Sequence, residues 1–469
     1  MKHSAIIIIF ILMSFQMISA TIINVPDDQP TIQAGTNATV NGDTVLVHPG
    51  TYDERVSISA RNIVLGSLFL TTGDSSYIAS TFIRGAHATY LDSTAIITGF
   101  TIDGRSSAFG GAIYVSQADL EISHNIISNN HASYFGGGIC LEGHSNARII
   151  HNQITGNYID TPVADRYGGG IYCGESSPLI ANNVISNNYA PIYGGGIYCT
   201  DASPVIVGNV FASDSSGQYG GAVYLYNSNA EIRYNLFSEN LSLGGGAIYC
   251  NGSSPIIDNN TFSGNSGFWN SALYLISTDT LRNNIFSFNT AGNGAVCAIG
   301  NILVHCDFFG NVPADFAVPP AAGTGILTTT NTNGDSCDVY SNLFLDPLFV
   351  DTTSYDYHLT EFSPCIDAGD PVSPLDPDGT IADIGALYFD QTVTLDPPQN
   401  VTIEISDIEV TLSWVAVTGA DSYRVYSSEY PFSGFVEDSS GSFIDESWTA
   451  PLVGVRKYYY VQASSVTVR

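Results

Sequence analysis

Tyr193-Gly-Gly-Gly-Ile-Tyr-Cys199 is the stretch that decides the fold, because it is one copy of many. The same unit appears as Phe109-Gly-Gly-Ala-Ile-Tyr-Val, Phe135-Gly-Gly-Gly-Ile-Cys-Leu, Tyr167-Gly-Gly-Gly-Ile-Tyr-Cys and Tyr219-Gly-Gly-Ala-Val-Tyr-Leu. It returns as Gly244-Gly-Gly-Ala-Ile-Tyr-Cys, as Trp269-Asn-Ser-Ala-Leu-Tyr-Leu and, degraded, as Gly292-Asn-Gly-Ala-Val-Cys-Ala. The copies are most often 25 or 26 residues apart, and one long step carries an insertion at Ile159–Arg166. A fixed period of this length marks a stacked repeat, in which each unit buries its apolar face only against its neighbours.

Three apolar columns keep register with the unit. They are Ile113, Ile139, Ile171, Ile197, Val223, Ile248, Leu273 and Val296; Ile122, Ile149, Ile180, Ile206, Ile232, Ile257 and Leu281; and Ile127, Ile154, Ile185, Phe211, Phe237, Phe262 and Phe286. Three short strands per turn, each with a branched or aromatic residue inward, predict an all-β fold: a right-handed three-sided parallel β-helix with rungs about 4.8 Å apart. A helical repeat is excluded, since glycines interrupt every unit, β-branched residues dominate and no 3.6-residue stripe appears. Two asparagine columns, Asn125 to Asn284 and Asn130 to Asn289, predict stacked amides at corners where the backbone turns left-handed.

The flanks set the expected domains. Lys2 and the apolar run Ala5–Phe15 read as a secretory signal over 1–20, too short to span a bilayer. Residues 21–55 hold Thr31–Val40, expected as a short amphipathic helix that covers the open end of the coil. The rungs run over 56–312. Residues 313–394 form a Pro/Ala/Gly-rich loop and an acidic closing segment over the last rung. From 395 to 469 the pattern changes to alternating strands around Trp414, expected to be a small β-sandwich that stops before a final edge strand.

Charge excludes some partners. Asp and Glu number 44 against 13 Lys and Arg, a formal net charge of −31. Such a surface repels nucleic acid and anionic lipid, and polyuronates too unless a bound divalent cation bridges the two. Lysine occurs only at Lys2 and Lys457, so the repeats contain none. The eight cysteines have no CxxC spacing for zinc. Cys173, Cys199 and Cys250 share one repeat position and are expected to be packed inside. Cys337 with Cys365, or Cys297 with Cys306, are the disulfide candidates of an exported chain.

Several resemblances rest on these residues. Asn24–Tyr52 and the apolar columns resemble the pectin-lyase-like superfamily of right-handed parallel β-helices. The Gly-Gly-Ala-Ile units, with Phe-x-x-Asn at Phe237–Asn240, Phe262–Asn265 and Phe286–Asn289, are similar to repeats of chlamydial polymorphic membrane proteins. Asp346–Ala386 resembles the choice-of-anchor closing segment of bacterial surface β-helices, and Leu395–Val461 resembles a fibronectin type III module. These resemblances imply a secreted or cell-surface protein and specify the chemistry poorly, because one scaffold hosts lyases, hydrolases and adhesins.

The candidates for chemistry are few. A lyase needs clustered carboxylates holding Ca²⁺ and a basic residue to take a proton, but the repeat arginines are scattered among rungs. A glycoside hydrolase of this type needs converging aspartates beside a Gly-His-Gly turn, and that sequence does not occur. His124, His131, His144 and His151 read as surface residues at different repeat positions. Asp367, Asp370, Asp376, Asp378 and Asp383 are weak candidates for a structural Ca²⁺; no other cofactor is expected. The outward positions Tyr114, Tyr172, Tyr198, Tyr224, Tyr249 and Tyr274 are predicted to form a flat row of rings suited to sugars. The expected function is therefore non-catalytic binding of a polysaccharide or another cell-surface partner by a monomer, with a polysaccharide lyase or hydrolase as the alternative.

Overall fold

The computed structural model describes residues 20–469 apart from 161–165, 278–279, 392–396, 407, 418–419, 421, 431–434, 453–456 and 465–469. The expected signal, save Ala20, and the centre of the Ile159–Arg166 insertion lie outside the described residues. The chain divides into two compact units: Met1–Asp376 with Ile381–Phe389, and Pro377–Thr380 with Asp390–Arg469.

The first unit is a parallel β-solenoid. One coil runs through Glu121–Ser123, Ile126–Ser128, His131–Phe135 and Ile139–Glu142. Ile122, Ile127, Ala132, Ile139 and Leu141 point inward and are fully buried. The predicted columns pair rung on rung, Ile122 with Ile149, Ile127 with Ile154 and Ile139 with Ile171. A twelve-stranded parallel sheet forms one side, from Ile22–Val25 to Ile302–Val304. The other two sides join into a 19-stranded sheet, because Thr81–Thr89 pairs with both Thr101–Asp103 and Ile113–Ser116.

A fourth ladder of short strands, eight in all, occupies a corner between the second and third sides. Apart from Ile159 its inward residues are small, Ala132, Ala190, Ser216 and Ser242 among them, so no apolar column marks it in the sequence. In the third column Phe211, Phe237, Phe262 and Phe286 stack in parallel with centroids 4.8 Å apart, which is the rung spacing itself.

The first asparagine column is a continuous amide ladder, and the second is one except at Asp214. Asn183 Nδ2 donates to Asn209 Oδ1 at 3.0 Å, and Asn209 Nδ2 repeats this to Asn235 at 3.0 Å. Each amide also donates to a carbonyl of the preceding coil, as Asn209 does to Ile180 O at 2.9 Å. The left-handed backbone sits one residue earlier than expected, at His124, Asn129, His151, Asn182, Asn187 and Tyr234. A ladder amide turned inward to bond its neighbours needs the sharp bend just before it. His124 and His151 thus hold equivalent positions, contrary to the scattered reading, and their rings stack with centroids 5.1 Å apart.

Both ends of the coil are covered. The helix is Ile32–Ala38; Thr31 caps it by accepting from Ala34 N, and Ile32 enters the core beside Val25 and Val45. Toward the other end, Leu343 bridges to Asp307 and Phe316 to Val296, extending the stack. The acidic segment then turns back along the flank instead of ending over the last rung. Gly385 N donates to Asn283 O at 2.8 Å and Ala386 N to Thr261 Oγ1 at 3.0 Å, while Cys337, Cys365, Ile366 and Ile384 pack around Ile285.

All eight cysteines are unpaired and buried. Cys337 and Cys365, the expected disulfide pair, share that flank cluster as separate thiols, Cys337 beside Thr329 Oγ1 and Cys365 facing Asp307. Cys297 and Cys306 are likewise free. Burial pushes the Cys306 and Cys365 thiols up from their ordinary range, which keeps them protonated packing groups.

The described residues of the second unit form two antiparallel sheets. One joins Thr402–Ile405, Glu409–Ser413, Ser447–Pro451 and Ser442–Ile444; the other joins Val436–Glu437, Ser422–Ser428 and Tyr458–Ser464. Val410, Leu412, Trp414, Val425, Trp448 and Val461 meet in one core, consistent with a sandwich.

Candidate functional site

The predicted tyrosine row exists, but it is a spine and not an open surface. Tyr172, Tyr198, Tyr224 and Tyr249 stack almost parallel on successive rungs, with centroids 5.3–5.6 Å apart and planes within 3°. Tyr198 is 6% exposed and Tyr224 3% exposed. A second file of rings covers them. Phe135, Tyr167, Tyr193 and Tyr219, the residues just before each Gly-Gly, stack on one another and also lie over the next rung's tyrosine. Phe135 meets Tyr172 and Tyr167 meets Tyr198 at 4.4 Å; Tyr193 meets Tyr224 at 4.6 Å and Tyr219 meets Tyr249 at 4.5 Å.

The glycines explain how two files fit on one face. At Gly194 the backbone is left-handed, at φ +66°, and a Cβ on Gly195 would stand 2.3 Å from Ser215 O. Successive Gly-Gly corners therefore nest backbone to backbone, which lowers the covering ring onto the sheet. Burial lifts the Tyr172 and Tyr198 phenols far above their ordinary range, so both are neutral packing groups.

The double file opens where the repeat degrades. Gly244 has no ring, and Tyr219 and Trp269 close over it at 5.9 Å. Beyond them lies a cavity of ≈ 300 Å³ walled by Tyr219, Tyr249, Trp269 and Tyr274, with Asn270 and Asn293 at its edge. Tyr249 and Tyr274 stack at 4.4 Å, and Trp269 is 40% exposed. Of the six predicted tyrosines, then, Tyr249 and Tyr274 line an open aromatic cavity. Tyr172, Tyr198 and Tyr224 are covered. Tyr114 lies at the far end of the file, its hydroxyl donating to Glu142 Oε2 at 2.8 Å. Trp269 and Tyr219 were missed as site residues, although their place at the head of each repeat unit was a signal in plain view.

The five aspartates are not brought together. Asp383 accepts from Asp367 N at 2.8 Å and Phe389 N at 2.7 Å, and Asp376 accepts from Asp383 N at 2.8 Å. Asp378 accepts from Thr380 N at 3.1 Å and Gln391 N at 2.9 Å, and Asp370 faces Arg282 at 3.4 Å. The Asp370, Asp376, Asp378 and Asp383 carboxylates each hold a turn or an arginine. Among the described residues no three His, Cys, Asp or Glu side chains are grouped to hold a metal ion.

On the twelve-stranded side, Arg233, Asp258 and Arg282 pair in register on three rungs. They line a cavity of ≈ 520 Å³ with Tyr234, Ile256 and the 372–374 loop. The ions stand 3.6–3.7 Å apart, and burial raises the Asp258 carboxyl above its ordinary value. No described helix is long and apolar enough to cross a membrane.

No curated protein matches the chain in sequence. Among solved structures it is similar to pectate lyase Pel9A, at 14% identity and a TM-score of 0.43, over 79% of this chain and 97% of that one. It is also similar to XylC in its complex with xylose, at 11% identity and a TM-score of 0.34, over 82% and 86%. A mannuronic acid specific family 6 lyase from human gut microbiota matches at 14% identity and a TM-score of 0.30, over 63% and 82%. The model of the right-handed β-helix region matches residues 67–217 and 192–344, more than half of the sequence. With its in-register columns and parallel sides, the chain belongs to the right-handed β-helix family.

Proposed function

We propose that the protein is a secreted or cell-surface binding protein that holds a glycan without transforming it, and that the aromatic cavity at the end of the tyrosine file is the contact. The supporting observation is the combination at that one place: the rings of Tyr249 and Tyr274, a half-exposed Trp269, Asn270 and Asn293 in the lining, and a volume of ≈ 300 Å³. Sugars present apolar C–H faces and hydroxyl edges, so ring walls with an amide rim suit them. Family membership fits this reading without assigning a ligand. The two-sheet unit, which resembles a fibronectin type III module, would serve as a spacer.

The experiment is a glycan array followed by calorimetric titration. Binding should fall at least tenfold in Trp269→Ala and Tyr274→Ala, with melting within a few degrees of the parent. Absence of binding to every glycan removes the proposal. Release of unsaturated sugar ends from any polymer would assign the protein to the lyases instead.

A further inference from the structure

With 44 carboxylate side chains for 13 Lys and Arg, no cation in this chain lacks candidates for a partner. Six of the described ones pair with a carboxylate. Arg84 pairs with Asp53, Arg148 with Glu121, Arg233 and Arg282 with Asp258, Arg424 with Glu437 and Lys457 with Asp438. Arg61 donates to the carbonyls of Thr36 and Asn37 at the end of the helix, and Arg166 lies 4.5 Å over the Tyr134 ring. Arg61 and Arg166 thus have no ion pair but hold a helix end and a ring, whereas Arg55 and Arg105 have neither an ion pair nor such a partner among the described residues.

These two lie beside each other. Arg55 Nη1 donates to Ser107 Oγ at 3.2 Å, two residues beyond Arg105. Both Nε atoms are buried without a hydrogen-bond partner among the described residues. Burial, with the neighbouring charge of Arg105, lowers the Arg55 guanidinium from its ordinary value. Two half-buried like charges held together are unfavourable until an anion sits between them.

His87 adjoins the pair, with Tyr114 beside it. They are register partners on adjacent rungs, and their rings meet edge-on at 4.9 Å. Burial and the Arg55 charge hold His87 below the usual imidazole value, so it is neutral at pH 7 and free to hydrogen-bond. His87, Tyr114, Cys140 and Tyr172 continue into the tyrosine file, so the arginines lie near one end of the file and the aromatic cavity at the other.

We infer that Arg55 and Arg105, with His87 beside them, bind the carboxylate of an acidic sugar residue. The planar guanidinium fork matches a carboxylate edge. The overall charge repels a polyanion, but screening over about 8 Å at physiological salt lets the local pair govern contact with a single carboxylate. The ligand is therefore a glycan with isolated acidic residues and not a polyuronate. The sugar half of this inference rests on the carbohydrate reading; the anion half rests on the arginines alone.

Calorimetry with three probes tests it: an oligosaccharide ending in glucuronic acid, its glucose-ended counterpart, and sodium sulfate. The acidic oligosaccharide should bind at least tenfold tighter than the neutral one. Arg55→Gln and Arg105→Gln should each abolish that ratio, while Arg55→Lys and Arg105→Lys, which keep the charge and guard against misfolding, should retain part of it. Trp269→Ala should weaken both sugars and leave the ratio intact. Equal affinity for both sugars overturns the anion site and leaves the carbohydrate reading standing. Sulfate binding without either sugar overturns the acidic sugar as occupant together with that reading, and a preference that survives both glutamine variants overturns the assignment to these arginines.

Discussion

Asp214 interrupts the second asparagine ladder and should make the solenoid sensitive to pH. The residue is fully buried, and its Oδ1 plays the ladder part, accepting from Asn188 Nδ2 at 2.9 Å and Asn188 N at 2.8 Å. Its Oδ2 stands where every other rung has an amide NH₂ and has no hydrogen-bond partner among the described residues. In neighbouring coils that NH₂ donates up the ladder to the next Oδ1 and across to a carbonyl, as Asn240 does to Asn265 and Phe211 O. At position 214 the corresponding acceptors are Asn240 Oδ1 and Ile185 O. A carboxylate there would face acceptors with no proton between them; a protonated carboxyl can donate to one. Burial accordingly raises the pKa to about 8.

The sign follows from the direction. The acid form is the one that fits, so this group's contribution is full below the unfolded value near 4 and is lost as pH rises toward about 8. Each unit in that window removes about 1.4 kcal/mol, on the order of 4 kcal/mol between pH 4 and pH 7. Asp214→Asn supplies the missing NH₂ and has no charge to bury. Its advantage over the parent in urea unfolding should be small at pH 4–5 and should grow by several kcal/mol by pH 8. The difference between the two proteins is the readout, because burial also raises Asp307 and Asp383 to about 7, and these add to the parent's slope. An advantage that stays constant between pH 5 and pH 8, or a variant less stable than the parent at both, refutes the reasoning.

Tyr198→Ala removes a ring stacked on Tyr167, Tyr172 and Tyr224 and should lower unfolding free energy by about 3–5 kcal/mol in denaturant titration; a loss under 1 kcal/mol would mean the file is not packed as described. Asn209→Leu strips the donors that meet Ile180 O and Asn235 Oδ1 and should lose about 3 kcal/mol, with hydrogen exchange rising on both adjoining rungs. Gly195→Ala places a methyl 2.3 Å from Ser215 O, so the protein should melt markedly lower or fail to accumulate folded. Cys337→Ser should leave the electrophoretic pattern under oxidising conditions unchanged, since Cys337 and Cys365 are separate thiols.

The repeating parts of this molecule are readable because they repeat. Ile122 over Ile149 and Asn183 over Asn209 are each one member of a column, and the column reveals the register. The tyrosines were legible as a column but not as buried, because burial depended on a second column, Phe135 to Tyr219, bending over them at the glycine corners. The short fourth ladder escaped because its inward side chains, such as Ala190 and Ser216, carry no hydrophobic signal. Arg55 and Arg105 lie 50 positions apart, before the repeats become regular, so nothing in the spacing brings them together. The flank segment shows the same limit. Gly385 meeting Asn283 is a contact between unlike sequences, and only the folded chain supplies it.

The covered tyrosines form an internal spine, and of the stacked rings only those at the open end around Trp269 meet ligand. Covalent labelling of tyrosine and tryptophan side chains, read by mass spectrometry with and without bound oligosaccharide, tests this most directly. Trp269 and Tyr189 should be strongly modified, Tyr172, Tyr198 and Tyr224 almost fully protected in the free protein, and Trp269 protected on adding sugar. Labelling of Tyr198 and Tyr224 at the rate of Tyr189, or a sugar that shields them and leaves Trp269 reactive, would contradict it.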